Sequence, residues 1–221
     1  SSKMKIKSFP TGCTTYLAFN VRPGRPFANK LLRQAVRDGV NRSEFVNKII
    51  GVPGYKPTFG IVPDYMPGSR KGITYRREAP LKARDADHPS SQVHLRQFLQ
   101  STKQTQAPAF TILADDGTLA KKFVEYWQNS LAKILSTEVR VESVPFKTRL
   151  QKSRDGSFDV TLAGWCPDYR DPMTFMDLFT AANDNNISGW VHPEYEAFIA
   201  SAANEADMGK RVEIFRQAEA L

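Results

Sequence analysis

Segments with strand and helix patterns alternate between residues 110 and 163, and this order limits the possible folds more than any other feature of the sequence. The first segment is a short apolar run typical of a strand. The longest segment repeats a large apolar residue every four positions from Leu119 to Leu131, through Phe123 and Trp127, which predicts a helix with one face in the core. The order strand, helix, strand, helix, strand predicts an α/β domain with helices packed on a mixed sheet. The segments are 110–114, 118–135, 139–144, 146–154 and 158–163.

Further regular segments flank this region. Residues 14–21 are apolar on both faces, which predicts a strand covered on both sides. Asn29 and Asn41 stand where the N-caps of two helices are expected, and Gly51 is expected to end the second. Another helix is predicted around residues 92–101. Two closing helices are predicted over about 193–204 and 206–221, the last with Met208, Val212 and Phe215 facing inward.

Positive charge is concentrated in one irregular stretch. The chain has a formal charge of +8 and a pI of about 9.5, so an anionic partner has to be considered. Six basic residues lie between Arg70 and Arg84, within Pro- and Gly-punctuated text. A nucleic-acid surface usually carries basic residues on a regular element with aromatics for stacking, whereas this cluster contains Tyr75 alone. We therefore predict a solvated loop over residues 69–84 and no nucleic-acid partner, and the sequence assigns this loop no role.

The sequence lacks the motifs of the common enzyme classes. It has no phosphate-binding glycine loop, no nucleophile elbow and no zinc-protease motif, and its three histidines lack helical ligand spacing. The sequence therefore predicts no enzyme, no metal site and no cofactor. Cys13 and Cys166 lie far apart in the chain. Composition leaves open whether they are two buried free thiols or one long-range disulfide of an oxidising compartment.

The segment from Ala163 to Tyr169 carries the most functional information. It follows a predicted strand, and ligands of α/β proteins bind where strands end. Gly164 allows another backbone to approach closely, Trp165 offers a wide apolar face with one N–H donor, and Asp168 is able to accept a charge-assisted hydrogen bond from an ammonium group. These residues alone are compatible with a ligand site and with ordinary packing.

Other residues extend this segment into a longer pattern. The pattern comprises 163–166, 168–169, Pro172 and Phe175, and upstream 16–20, 25–27, 32–36 and 41–42. In this order the residues resemble the oligopeptide-binding proteins, the large periplasmic solute-binding proteins of peptide ABC importers. In that family a strand ends in Ala-Gly-Trp-Cys before an Asp-Tyr pair, a Pro and a Phe. The resemblance runs in register over nearly the whole chain and is weakest between about residues 66 and 106.

The resemblance implies a fold and a function. Family members have two lobes that close on an extended peptide, and residues 1–221 resemble a single lobe of such a type II-like periplasmic binding protein. The N-terminal lobe and the final return strand are therefore expected to lie outside this chain. The implied function is to capture oligopeptides and deliver them to an ABC permease in the membrane, by a monomeric protein that catalyses no reaction.

The implied location is periplasmic or extracytoplasmic, with attachment to the membrane if the full-length protein is a lipoprotein. Residues 1–5 contain two lysines with no apolar run after them, so no signal peptide is expected at this start.

The resemblance also implies roles for individual residues. Asp168 stands at the position of the family's Asp that pairs with the peptide's α-ammonium group, and Tyr169 completes the Asp-Tyr pair. The backbone from Gly164 to Cys166 is expected to form hydrogen bonds with the peptide main chain. Trp165 is expected to line a side-chain pocket, and Phe146 falls where the family places another pocket aromatic.

The same comparison gives one further match and two departures. Cys13 and Cys166 match two positions that form a disulfide in enteric members. Those members carry Arg at the position of Leu162, where it helps to hold the peptide's C-terminal carboxylate, and His at the position of Ala120. Other ligands remain alternatives, because dipeptide, nickel and glutathione binders share the architecture. A ligand-sensing domain of a transcriptional regulator is a further alternative.

Overall fold

The computed structural model describes residues 12–82 and 84–221, so the expectation for residues 1–5 lies outside the described residues. The strands are β1 (Thr14–Phe19), β2 (Phe110–Asp115), β3 (Val139–Val144) and β4 (Val160–Trp165). In this part of the chain they form one sheet in the order β1-β4-β2-β3. β2 is parallel to β3 and β4, and β1 is antiparallel to β4, which confirms the predicted mixed sheet.

Helices connect and cover these strands. The chain also forms two short 3-10 turns, Pro26–Ala28 and Asp177–Phe179, and one π-helical turn, Phe45–Ile50. The helices are α1 (Lys30–Gly39), α2 (Arg42–Glu44), α3 (Tyr75–Glu78), α4 (His88–Thr102), α5 (Thr118–Leu135), α6 (Phe146–Arg154), α7 (Met173–Met176), α8 (Pro193–Asn204) and α9 (Met208–Ala220).

Polar side chains determine where several helices begin. Asn29 accepts a hydrogen bond from the backbone N–H two residues later (2.9 Å) and Asn41 from the one three residues later (2.7 Å), so both predicted N-caps are confirmed. Gly51, with φ +63°, ends the π-helical turn as predicted. Helix α4 begins at His88, earlier than predicted, because Asp87 caps it and a proline suits its first turn.

The first hydrophobic core lies between the sheet and helices α1, α4 and α5. Of the predicted apolar stripe on α5, Trp127 and Leu131 are buried and Phe123 is half-buried. Leu119 is 69% exposed, so its assignment to the core was wrong. It lies in the first turn of α5, beyond the end of β2, where the sheet does not cover it.

A second core lies between residues 61–79, α7 and the closing helices α8 and α9. Val212 and Phe215 face this core as predicted. Met208 is exposed, contrary to the prediction, because it occupies the first position of α9. No helix in the described ranges combines the length and the apolar character needed to cross a bilayer.

A buried ion pair connects the second core's loop to the last helix. Arg76 Nη2 lies 2.8 Å from Glu219 Oε1, and the two side chains are 14% and 9% exposed. Tyr75 donates its hydroxyl to Glu219 Oε2 at 3.1 Å, and burial together with this carboxylate raises the pKa of Tyr75. The prediction of a solvated loop over residues 69–84 is therefore wrong for α3 (Tyr75–Glu78), in which Tyr75 is fully buried and Arg76 has a structural role.

Removal of the Glu219 carboxylate is expected to destabilise the fold strongly. Glu219→Ala leaves the Arg76 guanidinium buried without its partner, and a loss of about 3 kcal/mol in the free energy of unfolding is expected. Urea unfolding monitored by circular dichroism measures this loss. Glu213→Ala is the matched control, because it breaks an exposed pair with Arg216 on the same helix and is expected to leave the unfolding midpoint unchanged. Equal destabilisation by both variants would contradict the assignment.

Candidate functional site at the sheet edge

The strand ends bring the predicted site residues to one edge of the sheet. β2, β3 and β4 are parallel and end there, and β1 begins there because it is antiparallel to β4. Trp165, at the end of β4, is paired with Thr14 at the start of β1. Phe146 follows the end of β3, and β2 lies between β3 and β4 in the sheet.

One side of β4 is open beyond Thr161. β1 pairs with β4 as far as Trp165, but β2 pairs with it only at Val160 and Thr161. Within residues 12–82 and 84–221, no strand pairs with residues 162–165 on the side that faces β2. Ala163 is buried, so the unpaired backbone groups that another extended chain can reach are those of exposed Gly164 and half-buried Trp165.

Gly164 lies in this open part of β4 and is exposed. Its φ is outside the left-handed region, so the backbone conformation does not require a glycine. A Cβ at this position would lie 3.5 Å from the Thr14 carbonyl oxygen, an ordinary contact, so packing within the chain does not require one either. The glycine therefore leaves this exposed position of β4 without a side chain.

Cys13 and Cys166 form a disulfide one residue beyond the last pair of the β1–β4 register. This confirms the pairing that the family resemblance implied. Both residues are exposed, so the alternative of two buried free thiols is wrong. The bond joins positions 153 residues apart and holds the loop after β4 against the start of β1.

A buried threonine positions the loop after β4. The Trp165 indole N–H donates to Thr174 Oγ1 at 3.2 Å, and the Asp168 backbone N–H donates to the same oxygen at 3.3 Å. Trp165 is half-buried and packs against the second core, so its N–H is used within the protein and part of its ring remains accessible. The sequence reasoning missed Thr174, although it stands between Pro172 and Phe175 of the motif.

The same loop carries an uncompensated negative charge. Asp168 is exposed and forms no ion pair within the described ranges, whereas Asp171 is paired with Arg211. Burial raises the pKa of Asp177, and the charge of nearby Asp168 raises it further. Two carboxylates without cationic partners attract a cation such as a protonated amine.

Two exposed aromatic rings lie at this edge. Tyr169 is 48% exposed, and partial burial, followed by the charges of Asp177 and Asp171, raises the pKa of its hydroxyl. Phe146 is 56% exposed, and the Arg149 guanidinium carbon lies 5.0 Å from its ring centroid. Both rings therefore present apolar surface to solvent.

Comparison with known families identifies the chain. The model described as bacterial extracellular solute-binding proteins, family 5 middle, matches residues 1–186. The chain belongs to this family. Within the family 5 chain, residues 164–169 comprise the end of β4 and the loop that follows it, and Phe146 follows β3 at the same edge.

Known relatives and solved structures match most of the length of this family 5 chain. It is 28% identical over 207 residues to the dipeptide-binding protein DppE of Bacillus subtilis. This match covers 93% of this chain and 37% of DppE. It is 26% identical over 216 residues to the periplasmic oligopeptide-binding protein OppA of Salmonella typhimurium. That match covers 97% of this chain and 38% of OppA.

The crystal structure of the substrate-binding domain of an oligopeptide ABC transporter from Bacillus anthracis matches with a TM-score of 0.87 at 26% identity, over 94% of this chain and 41% of that chain. The chain thus spans about two fifths of the length of these proteins, and its fold is that of a single lobe of a periplasmic binding protein.

Proposed function

We propose that this chain is the lobe of a solute-binding protein that captures oligopeptides outside the cytoplasm for an ABC importer. The observation that carries the proposal is the open side of β4, which ends at the unpaired carboxylate of Asp168. An extended peptide is able to pair with the strand through its backbone and to place its α-ammonium group at that carboxylate. Relatives named as dipeptide- and oligopeptide-binding proteins support this class of ligand.

Each part of the site then has a separate task. The backbone of Gly164 to Cys166 binds the peptide main chain, so affinity does not depend on the peptide's side chains. Asp168 binds the ammonium group and sets the direction of the peptide. Trp165, Tyr169 and Phe146 offer apolar surface to the peptide's side chains. The site binds and releases its ligand, without a cofactor and without catalysis.

The rest of the proposed protein supplies the other side of the clamp. Because the chain spans about two fifths of its relatives, the second lobe, the monomeric state, the contact with the permease and any lipid anchor are proposals about the whole protein. Leu162 and Ala120 are half-buried, uncharged residues at this lobe's positions for family C-terminal anchors. The peptide's carboxylate end is therefore expected to be held outside these two positions.

Titration calorimetry on the protein expressed from its complete gene tests the ligand class. Tetra-alanine with a free amine is expected to bind with a dissociation constant in the micromolar range or below, about −8 kcal/mol. N-acetylated tetra-alanine, nickel and glutathione are the matched comparisons and are expected to bind much more weakly or to give no heat. Binding of nickel or glutathione without binding of any peptide would overturn the proposal. The 221-residue chain is expected to bind peptide more weakly, because it supplies one side of the clamp.

A further inference from the structure

A cleft of about 360 Å³ lies beside the loop after β4. Its lining consists of the turn Pro67–Thr74, Tyr65 and Arg170. Tyr65 donates its hydroxyl to the carbonyl of Gly12, and a Cβ at Gly12 would lie 3.4 Å from the Pro167 ring. The cleft therefore adjoins the proposed peptide site, and Arg170, which lines it, stands two residues after Asp168.

The turn that lines the cleft is held in one conformation. Gly68 N–H donates to the Ile73 carbonyl at 2.9 Å, and Ile73 N–H donates to the Arg70 carbonyl at 3.0 Å. The Glu78 carboxylate accepts hydrogen bonds from the backbone N–H (2.6 Å) and the hydroxyl of Ser69. These bonds place Arg70 and the next residue at the tip of a closed turn, so little backbone entropy is lost when a ligand contacts their side chains.

The cleft is positively charged. Arg70, Lys71 and Arg170 line it, all three are exposed, and none has an ion-pair partner in the described part of the chain. The nearby carboxylate of Glu78 is already bonded to Ser69; these bonds lower its pKa, and the charge of Arg70 lowers it further. The cleft lining contains these three cations and no carboxylate, so it attracts an anion, while Asp168 and Asp171 flank Arg170 outside the lining.

We propose that this cleft binds the carboxylate of an acidic side chain at the first or second residue of the bound peptide. The inference rests on the proposed function, since it takes Asp168 as the site of the peptide's ammonium group. Two residues of chain span at most about 7 Å, so Arg170 lies within a side chain's reach of that group. Guanidinium groups bind carboxylates with charge-assisted, often bidentate hydrogen bonds, and a lysine side chain of a peptide would be repelled there.

The basic residues of this loop then have different roles. Arg70 and Lys71 line the cleft, and Arg77 and Lys82 are exposed outside the cleft lining. Arg76 is bonded to Glu219, and Arg84 is paired with buried Asp38. The loop that the sequence left without a role thus contains two residues for ligand selection and two with partners in the fold. The two remaining exposed residues provide controls of equal charge.

Matched peptides and charge-matched variants test the inference by calorimetry at low ionic strength, on the protein expressed from its complete gene. The peptide pairs are Ala-Glu-Ala-Ala with Ala-Gln-Ala-Ala, and Asp-Ala-Ala-Ala with Asn-Ala-Ala-Ala. In at least one pair the acidic peptide is expected to bind about tenfold tighter, the effect of one charge-assisted contact. The variant Arg70→Gln/Arg170→Gln removes both guanidinium groups of the cleft lining. It is expected to remove most of this preference and to bind the amide peptides as before, which also shows that it folds.

The control variant Arg77→Gln/Lys82→Gln is expected to keep the preference. Loss of the preference in the control as well would assign it to the overall charge and overturn the inference. Equal binding of acidic and amide peptides by the parent protein would overturn it while the proposed function stands. If no peptide of either kind binds, the proposed function fails, and the inference fails with it.

Discussion

Asp168→Asn is expected to weaken the binding of peptides with a free α-amine by about thirtyfold, which corresponds to about 2 kcal/mol. Asn has the size of Asp and keeps the backbone N–H bond to Thr174, so the loop is expected to retain its conformation. The loss arises because the ligand's ammonium group is desolvated in the closed protein without a carboxylate to receive it. Calorimetry with tetra-alanine measures it.

Two matched controls isolate this charge–charge contact. Asp184→Asn removes an exposed carboxylate elsewhere on the surface and is expected to leave the affinity unchanged. N-acetylated tetra-alanine lacks the ammonium group, so it is expected to bind the parent and Asp168→Asn with similar, low affinity. The two changes then form a double-mutant cycle whose coupling energy is that of the ion pair. A coupling energy near zero would remove Asp168 from its proposed role.

Asp177 explains why the loss is expected to be incomplete. Its pKa is raised by burial first and by the charge of Asp168 second, so the two carboxylates act on the same region. Removal of the charge of Asp168 is therefore expected to lower the pKa of Asp177. The Asp177 carboxyl group then retains part of the attraction for an ammonium group.

The strand and helix order between residues 110 and 163 was predictable because it is encoded in local periodicity. The caps at Asn29 and Asn41 were predictable for the same reason, since a cap depends on residues within one turn. Helix α7 was not predicted, because its four residues are too few to show a period. The pair of Arg76 and Glu219 was not predicted either, because its members lie 143 residues apart.

Some features of the candidate site were likewise predictable from the sequence, and others required the structure. Asp168, Trp165 and Gly164 stand in a motif that the resemblance covers, so their place at a strand end was expected. The open side of β4 was not, because it depends on where β2 stops pairing, at Thr161. The cleft lined by Arg70 and its neighbours needed the structure, since the turn and the loop after β4 are about 100 residues apart in sequence and adjoin only in the fold.

Removal of the disulfide is expected to have the largest effect on stability. The bond joins positions 153 residues apart, and in the chain-entropy model a loop of this length contributes about 5 kcal/mol, with measured values of 2–5 kcal/mol for small domains. The variant Cys13→Ser/Cys166→Ser is therefore expected to lose about 3–5 kcal/mol in the free energy of unfolding. Urea unfolding of this variant and of the oxidised parent measures the difference, and non-reducing mass spectrometry of the parent verifies the bond.

The disulfide is also expected to support binding, because it holds the loop that carries Asp168 against the start of β1. Thr174 gives that loop a second attachment, so the double-serine variant is expected to keep the peptide site but to bind with lower affinity. Reduction of the parent by dithiothreitol is expected to reproduce both effects, and the serine variant, which has no thiol at these positions, is the control for the reagent. An unfolding midpoint that is equal in the oxidised parent and the serine variant would mean that β1 and the loop after β4 hold together without the bond.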